Sequence, residues 1–580
     1  MIDAARKLWP YLWRHRRGLT LGFGALIVKD LFVVGQPILI KMGIDSLMGG
    51  FSLRIVVYLA LGLILLSALK GVFQYWMRIT LVGISRDVEF DLRNDLYAHL
   101  LTLSPDFFTR YRTGDILSRS TSDLNAVRMM LGPGVMYWAE TMFTFLLALV
   151  VMLSVDWRLT LVALSPAPLV SIAVVFFGQR IHARFEQIQR QFAEISSRVQ
   201  ENLAGMRMVR AYVQEDAELA LFDSLNKDYV DQNIRLARIS GLFMPLLQFL
   251  IGITFLLVLW AGGYALLEKR ITLGGFVMFN TYMGMLIWPM IAFGWVINLI
   301  QRGMASFARI DDMIHQKPRI AAPREPLRLE EPVRGEVEFQ DVVLEGASGM
   351  ALGGISLRIK AGQTVAIAGH TGCGKTSLVR MIPRMADPDS GAVLLDGVDV
   401  RRFDPRELRS HIGFVPQETF LFSCTVAENI ALGVPSATRE QIEEAAAIAG
   451  LGPDLASFAN GLDTVVGERG ITLSGGQKQR AAIARAILRN PRVLILDDAL
   501  SSVDTVTEER ILSGLSRVLK GRTTILISHR VSTIRQADVI YVLDHGKIVE
   551  QGTHEQLLAR GGYYAGLHEK QLLEEELEAI

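Results

Sequence analysis

Gly369-His370-Thr371-Gly372-Cys373-Gly374-Lys375-Thr376 fits the phosphate-loop pattern G-x-x-x-x-G-K-[ST] without a mismatch. The spacing has a physical reason. Glycines let successive backbone N–H groups turn inward around phosphate oxygens, Lys375 adds a cation, and the Thr376 hydroxyl reaches a bound Mg2+. The flanks agree: Thr364-Val-Ala-Ile-Ala368 reads as a buried strand, and the stretch from Ser377 to Met381 reads as the helix whose positive end faces the phosphates. The C-terminal part is therefore expected to bind a nucleoside triphosphate with Mg2+ in an α/β P-loop fold.

The N-terminal part is of another kind. Half of the 580 residues are hydrophobic, the mean hydropathy is +0.31, and the excess lies in the first 300 or so residues. Apolar stretches near 18–44, 54–80, 132–155, 157–179, 243–267 and 273–299 each reach the ~20 residues needed to cross ~30 Å of hydrocarbon. The fold class read here is an α-helical transmembrane domain of six spans with long cytoplasmic extensions, then an α/β nucleotide-binding domain. Domain limits fall at 1–316, a linker at 317–333 rich in Pro, Arg and Glu, and 334–580.

Basic residues set the orientation. Arg14, Arg16 and Arg17 precede the first span, Arg86 to Arg128 lie between spans two and three, and Arg180 to Arg210 lie between spans four and five. These segments are expected to face the cytoplasm, together with both chain ends, leaving short outer loops around Gly49-Gly50, Asp156-Trp157 and Glu268–Arg270. Trp9, Tyr11 and Trp13 among cations suit a helix lying in the membrane interface. In 182–240 apolar residues recur at helical spacing, so spans four and five are expected to continue as helices into the cytoplasm.

Lys29, Asp30, Lys70 and Glu140 fall inside spans. Such charges pair with one another or line an aqueous cavity, and the sequence leaves a structural ion pair and a substrate contact equally open. A net charge of +1 gives no pull toward nucleic acid, and the two cysteines, Cys373 and Cys424, lack the spacing of a metal site or a disulfide framework.

Two further motifs lie downstream of the phosphate loop. Arg492-Val-Leu-Ile-Leu-Asp497 is a hydrophobic strand ending in a carboxylate, which would bring an acid to Mg2+. Leu473-Ser474-Gly475-Gly476-Gln477 unites a serine, bare backbone N–H groups and the start of an Arg-rich helix, the ingredients of an anion receptor. With these motifs in this order, the C-terminal part resembles the ATP-binding cassette of an ABC transporter, and the whole chain resembles an exporter half-transporter.

The resemblance implies that Gln417 senses Mg2+ and couples to the membrane domain, that His529 contacts the γ-phosphate, and that Ser501 to Asp504 link two sites. It also implies that Val466 to Gly470 touch the cytoplasmic loops. Thr113 to Arg119 and Val209 to Glu215 resemble the coupling helices. It further implies a multi-pass protein of the bacterial inner membrane, a second half-transporter as partner, lipid around the spans and an amphipathic small-molecule substrate.

Two positions depart from the family pattern. Asp498 stands where active cassettes carry the glutamate that polarises the attacking water, and a carboxylate one methylene shorter sits roughly an ångström back, a displacement that can cost ~100-fold in rate. Gly346 stands where an aromatic ring usually stacks on adenine, an interaction worth about 1–3 kcal/mol. With the Leu473–Gln477 signature intact, the expectation is the degenerate-site subunit of a heterodimer. Alternatives are a slow homodimeric exporter and an ATP-gated regulator that does not pump.

Overall fold

The computed structural model describes residues 2–49, 53–346, 349–467, 473–503 and 505–578. It divides into two compact units, one of Met1–Leu101 with Tyr111–Gln316 and one of Thr102–Arg110 with Lys317–Ile580.

The first unit is helical. Six helices among the described residues are long and apolar enough to cross a membrane: Arg16–Met48, Leu53–Leu100, Thr113–Val155, Trp157–Ala204, Glu215–Leu267 and Leu273–Ile314. Each contains one of the apolar stretches of the sequence. At ~1.5 Å per residue a 53-residue helix such as Glu215–Leu267 is about 80 Å long, far more than hydrocarbon alone requires. The second helix likewise runs unbroken over 48 residues, from its apolar half into a polar one, and Gly205 marks the C-cap where the fourth ends. A separate helix, Ile2–Arg14, precedes the spans. It exposes Trp9 and Trp13, whose rings meet at 5.5 Å, and buries Leu8.

The intramembrane charges are organised. The Lys29 ammonium lies 2.7 Å from Asp30 Oδ1 and 2.6 Å from Glu140 Oε1. Thr144 donates a hydrogen bond to the same Asp30 oxygen. Lys29 is 2% exposed, so its charge is offset almost wholly by these two carboxylates. Beside the cluster is a cavity of about 470 Å3 whose walls include Lys29, Glu140 and Lys70, with Tyr137, Met285 and Trp288. Lys29 and Glu140 thus both pair and line the cavity, whereas Asp30 belongs to the ion cluster and Lys70 to the cavity wall.

The second unit carries ten strands among its described residues. These are β1 Val337–Gly346, β2 Gly349–Ile359, β3 Thr364–Gly369, β4 Ser390–Leu395, β5 Val398–Asp399, β6 Ile412–Val415, β7 Val493–Asp497, β8 Thr523–Ile527, β9 Val539–Asp544 and β10 Lys547–Gly552. One sheet has the order β2-β1-β4-β5, and the other β10-β9-β3-β8-β7-β6. In the larger sheet β9, β3, β8, β7 and β6 are parallel. Every residue of β7 and β8 is buried, as expected of parallel strands covered on both faces. Alternation divides them: Leu494, Leu496 and Leu526 join one core, while Val493, Ile495, Ile525 and Ile527 join the other.

Candidate functional site: a nucleotide pocket at the ends of parallel strands

Parallel strands all end on one side, and connections leaving that side converge there. The order β3-β8-β7-β6 therefore brings together four segments far apart in sequence: the phosphate loop after β3, His529 two residues past β8, Asp497 and Asp498 at the end of β7, and Gln417 two residues past β6. A cavity of about 170 Å3 has Thr371, Gly372, Gly374, Lys375, Thr376, Ser377, Gln417, Asp497, Asp498 and His529 among its walls. Ten of the positions singled out from the sequence thus face one space.

The loop's backbone explains its glycines. Gly369, Gly372 and Gly374 have φ of +144°, +86° and +105°, the region L side chains rarely adopt. A Cβ on Gly374 would also lie 2.7 Å from the Ala351 carbonyl oxygen. Lys375 is buried, and its ammonium donates to the carbonyl oxygens of Gly369 and His370, both at 2.8 Å. The helix that follows is short, Lys375–Arg380.

Thr376 donates its hydroxyl proton to Asp497 Oδ1 at 3.0 Å. The other oxygen, Oδ2, is buried without a hydrogen-bond partner. Burial pushes the Asp497 carboxyl above the usual range, opposed by the Thr376 hydrogen bond. A hydroxyl and an orphaned carboxylate oxygen side by side fit a hard, oxygen-seeking cation. Burial also pushes the Cys373 thiol up, although Lys375 opposes it, so Cys373 is an inert thiol in the loop wall.

Asp498 is 9% exposed and holds a left-handed backbone, φ +51°. Its N–H donates to the Ile527 carbonyl, tying the end of β7 to β8. Its own carbonyl accepts from Ser501 Oγ, and Ser501 Oγ in turn accepts from Gln479. Gln479 Oε1 also accepts from the Ser502 N–H. The turn after Asp498 is therefore strapped to the helix Gly475–Leu488, a link invisible in the motifs alone.

That helix opens with a capping box. Ser474 Oγ accepts from the Gln477 N–H, and Gln477 Oε1 accepts from the Ser474 N–H. The Ser474 oxygen thus accepts locally, which fixes the helix start and leaves its O–H proton for an anion. Gln477 and Arg480 both donate to Asp454. Ser474, Gly475, Gly476 and Gln477 are absent from the walls of this chain's own phosphate pocket.

Other expectations fare differently. Gly346 is exposed at the end of β1, paired with Gly349. It borders a separate cavity of about 960 Å3 that shares Ser377 with the phosphate pocket and has Phe414 as the aromatic ring among its described walls. Glu468 to Gly470 and Asp504 lie outside the described residues. Of the connection between the second and third spans, Thr102–Arg110 groups with the nucleotide-binding unit and the helix Thr113–Ser118 with the membrane unit. In the other hairpin Met206–Ala211 forms a short helix followed by Val213 at φ +54°, a tight reversal between two long helices.

Comparison with known proteins agrees with this architecture. Residues 19–290 match the ABC transporter transmembrane region and residues 352–501 match the ABC transporter family. The chain is 38% identical, over 99% of its length and 98% of the relative's, to the probable multidrug resistance ABC transporter ATP-binding/permease protein YheI of Bacillus subtilis. The chain is an ABC exporter half-transporter. It is 37% identical to the multidrug resistance-like ATP-binding protein MdlA of Escherichia coli, over 89% of this chain and 88% of that one. To the ATP-dependent lipid A-core flippase of Syntrophus aciditrophicus it is 34% identical, over 99% of this chain and 96% of that one. A solved bacterial Atm1-family ABC exporter with ATP bound superposes with a TM-score of 0.81 at 29% identity, covering 96% of this chain and 99% of that one. The ABC exporter is thus a multi-pass membrane protein whose cassette binds ATP, and such exporters act as dimers with a second half-transporter.

Proposed function

We propose that this ABC exporter moves amphipathic compounds out across the bacterial cell membrane, paired with a non-identical half-transporter, while its own nucleotide site cleaves ATP slowly. The observation that carries the reading is Asp498: a short carboxylate at the wall of the phosphate pocket, held by its strained backbone and by the bond to Ile527. That anchoring keeps the carboxylate from advancing by a backbone shift. An intact Ser474–Gln477 helix start, outside the chain's own pocket, is free to complete a site on the partner cassette.

Within the pocket, Lys375 and the loop's N–H groups would hold the phosphates, and Thr376, Asp497 and Gln417 would hold Mg2+, which would supply positive charge beside the phosphate oxygens. His529, which lines the same pocket, would contact the terminal phosphate, and Asp498 would orient water less effectively than a glutamate. Closure of two cassettes on ATP then biases the spans between inward- and outward-facing states, so nucleotide affinity is spent on conformation. The multidrug-type relatives and the 470 Å3 cavity, apolar and aromatic on some walls and charged on others, support an amphipathic cargo, because pockets of ~300–1,000 Å3 with few convergent polar groups suit small molecules.

The test is transport. In inside-out vesicles carrying the chain and its partner, uptake of a fluorescent amphiphile should require ATP and stop with a non-hydrolysable analogue. Equal movement with the analogue would favour a gated regulator over a pump.

A further inference from the structure

The pairing of β3 with β9 creates a second cluster at the edge of the phosphate loop. The two strands are parallel, with Gly369 opposite Leu543. The next residue of each is therefore delivered side by side, and His370 Nδ1 lies 3.0 Å from Asp544 Oδ1. β9 reverses into β10 through His545-Gly546, and Lys547 pairs with Asp544 to close the hairpin. Both loop residues have positive φ, +43° and +73°, the geometry of a two-residue type I′ turn that normally favours Asn-Gly or Asp-Gly. A histidine here occupies a backbone it does not prefer. Its ring centroid lies 5.3 Å from that of His370, and its Nε2 is 3.9 Å from Asp544 Oδ1.

We propose that His370, Asp544 and His545 form a binding site for a borderline divalent ion such as Zn2+, and that the bound ion restrains the phosphate loop. One ligand atom from each residue lies within 4.8 Å of the others. Ligands about 2.0–2.2 Å from a tetrahedral Zn2+ stand roughly 3.3–3.6 Å apart, so the His370–Asp544 pair opens slightly and the His545 ring closes in. The side chains are 40%, 34% and 88% exposed for His370, Asp544 and His545, so an ion enters from solution without unfolding. Two imidazoles with one carboxylate select a borderline metal over Mg2+, which prefers oxygen alone. On binding, neutral His370 changes tautomer, Nδ1 giving its proton to water while Nε2 takes one from water, so that the Nδ1 lone pair and the carboxylate oxygen take the ion and water fills the fourth position.

His370 is the second residue of the phosphate loop, and its carbonyl oxygen accepts from the Lys375 ammonium. A metal joining His370 to the β9–β10 turn fixes that carbonyl, and with it the site from which Lys375 must move to meet a phosphate. Zinc is accordingly an inhibitor acting beside the Mg2+ site, through different ligands.

The experiment uses the full-length protein, stripped of metal and held in detergent. Zn2+ affinity is read by competition with a chromophoric chelator, and Co2+ is added separately for its visible ligand-field absorption. Binding at micromolar Zn2+ is expected, with His545→Ala and His370→Ala each weakening it by at least about tenfold, since even an outer partner of a metal ligand is worth that much. His545→Ala should leave zinc-free ATP hydrolysis unchanged while removing its inhibition by zinc. Unchanged Zn2+ affinity in both variants would overturn the site. Zinc bound by the parent chain without any effect on nucleotide binding or hydrolysis would overturn the clamp.

Discussion

The Thr376 hydroxyl donates to Asp497 Oδ1 at 3.0 Å, while Oδ2 of the same carboxylate is buried without a hydrogen-bond partner. An orphaned buried oxygen is costly unless a ligand claims it. Asp497→Asn keeps an acceptor for Thr376 and removes the charge. We expect Mg2+-dependent ATP binding to weaken by roughly 10–100-fold, the equivalent of a charged hydrogen bond of about 1.5–3 kcal/mol, with Mg2+-independent binding much less affected. Equilibrium binding of a fluorescent ATP analogue with and without Mg2+ measures the difference.

The buried Lys29 offers a stability test. Lys29→Met leaves Asp30 and Glu140 facing each other without their shared cation. Breaking a buried pair from one side costs about 3–5 kcal/mol. Adding Asp30→Asn and Glu140→Gln to Lys29→Met should restore most of the loss, because no uncompensated charge is left. Thermal unfolding in detergent reads both steps. If the triple variant is no better than the single one, the cluster's value lies in packing and not in charge.

The C-terminal region carries a pH dependence. His554 Nδ1 pairs with the Tyr564 hydroxyl at 2.8 Å, and Tyr564 is buried with its own titration pushed up to about 12 by burial. Burial lowers the His554 pKa below 6.5, helped by His568 and Arg535 and opposed by Glu555. The folded state therefore binds the proton less well than the unfolded chain. Its contribution to stability is present above pH ~6.5 and is lost as pH falls through the folded value. We expect protease sensitivity of the helix Tyr563–Glu578 to rise on acidification from pH 7 to 5, and His554→Gln to flatten that rise.

Variants at Asp498 and Ser474 separate the two contributions proposed for the chain. Asp498→Glu restores the longer carboxylate and should raise turnover of the assembled exporter several-fold, or make its two sites more alike. Ser474→Ala removes the acceptor of the capping box and the group proposed to meet the partner's nucleotide, and should reduce turnover more than Asp498→Asn does. Steady-state ATPase assays of the assembled pair rank the three. The reverse ranking would contradict the division of labour.

Much of this was legible in the sequence because the signals are local. The phosphate loop needs its glycines within eight residues, and Val493–Asp497 and the six apolar stretches each declare themselves within one element. What escaped was set by strand order and by turns. Nothing local shows that β8 lies between β3 and β7, which is what brings His529 to the pocket that Asp497 lines. The strap from Gln479 to Ser501 and Ser502 joins positions more than twenty residues apart. The meeting of His370 with His545 depends on β9 lying beside β3 and on a two-residue turn. In the connection between the second and third spans the division between the two units falls after Arg110, a boundary that no local motif marks.

The central claim is that this ABC exporter lends its helix start to a foreign γ-phosphate while largely keeping its own ATP intact. The most direct measurement is single-turnover hydrolysis by the purified chain alone, with Mg2+ and limiting labelled ATP. The account predicts that ATP is retained and cleaved slowly, with Asp498→Glu accelerating the cleavage. Rapid cleavage of one ATP per chain by the unmodified protein, without any partner, would contradict it.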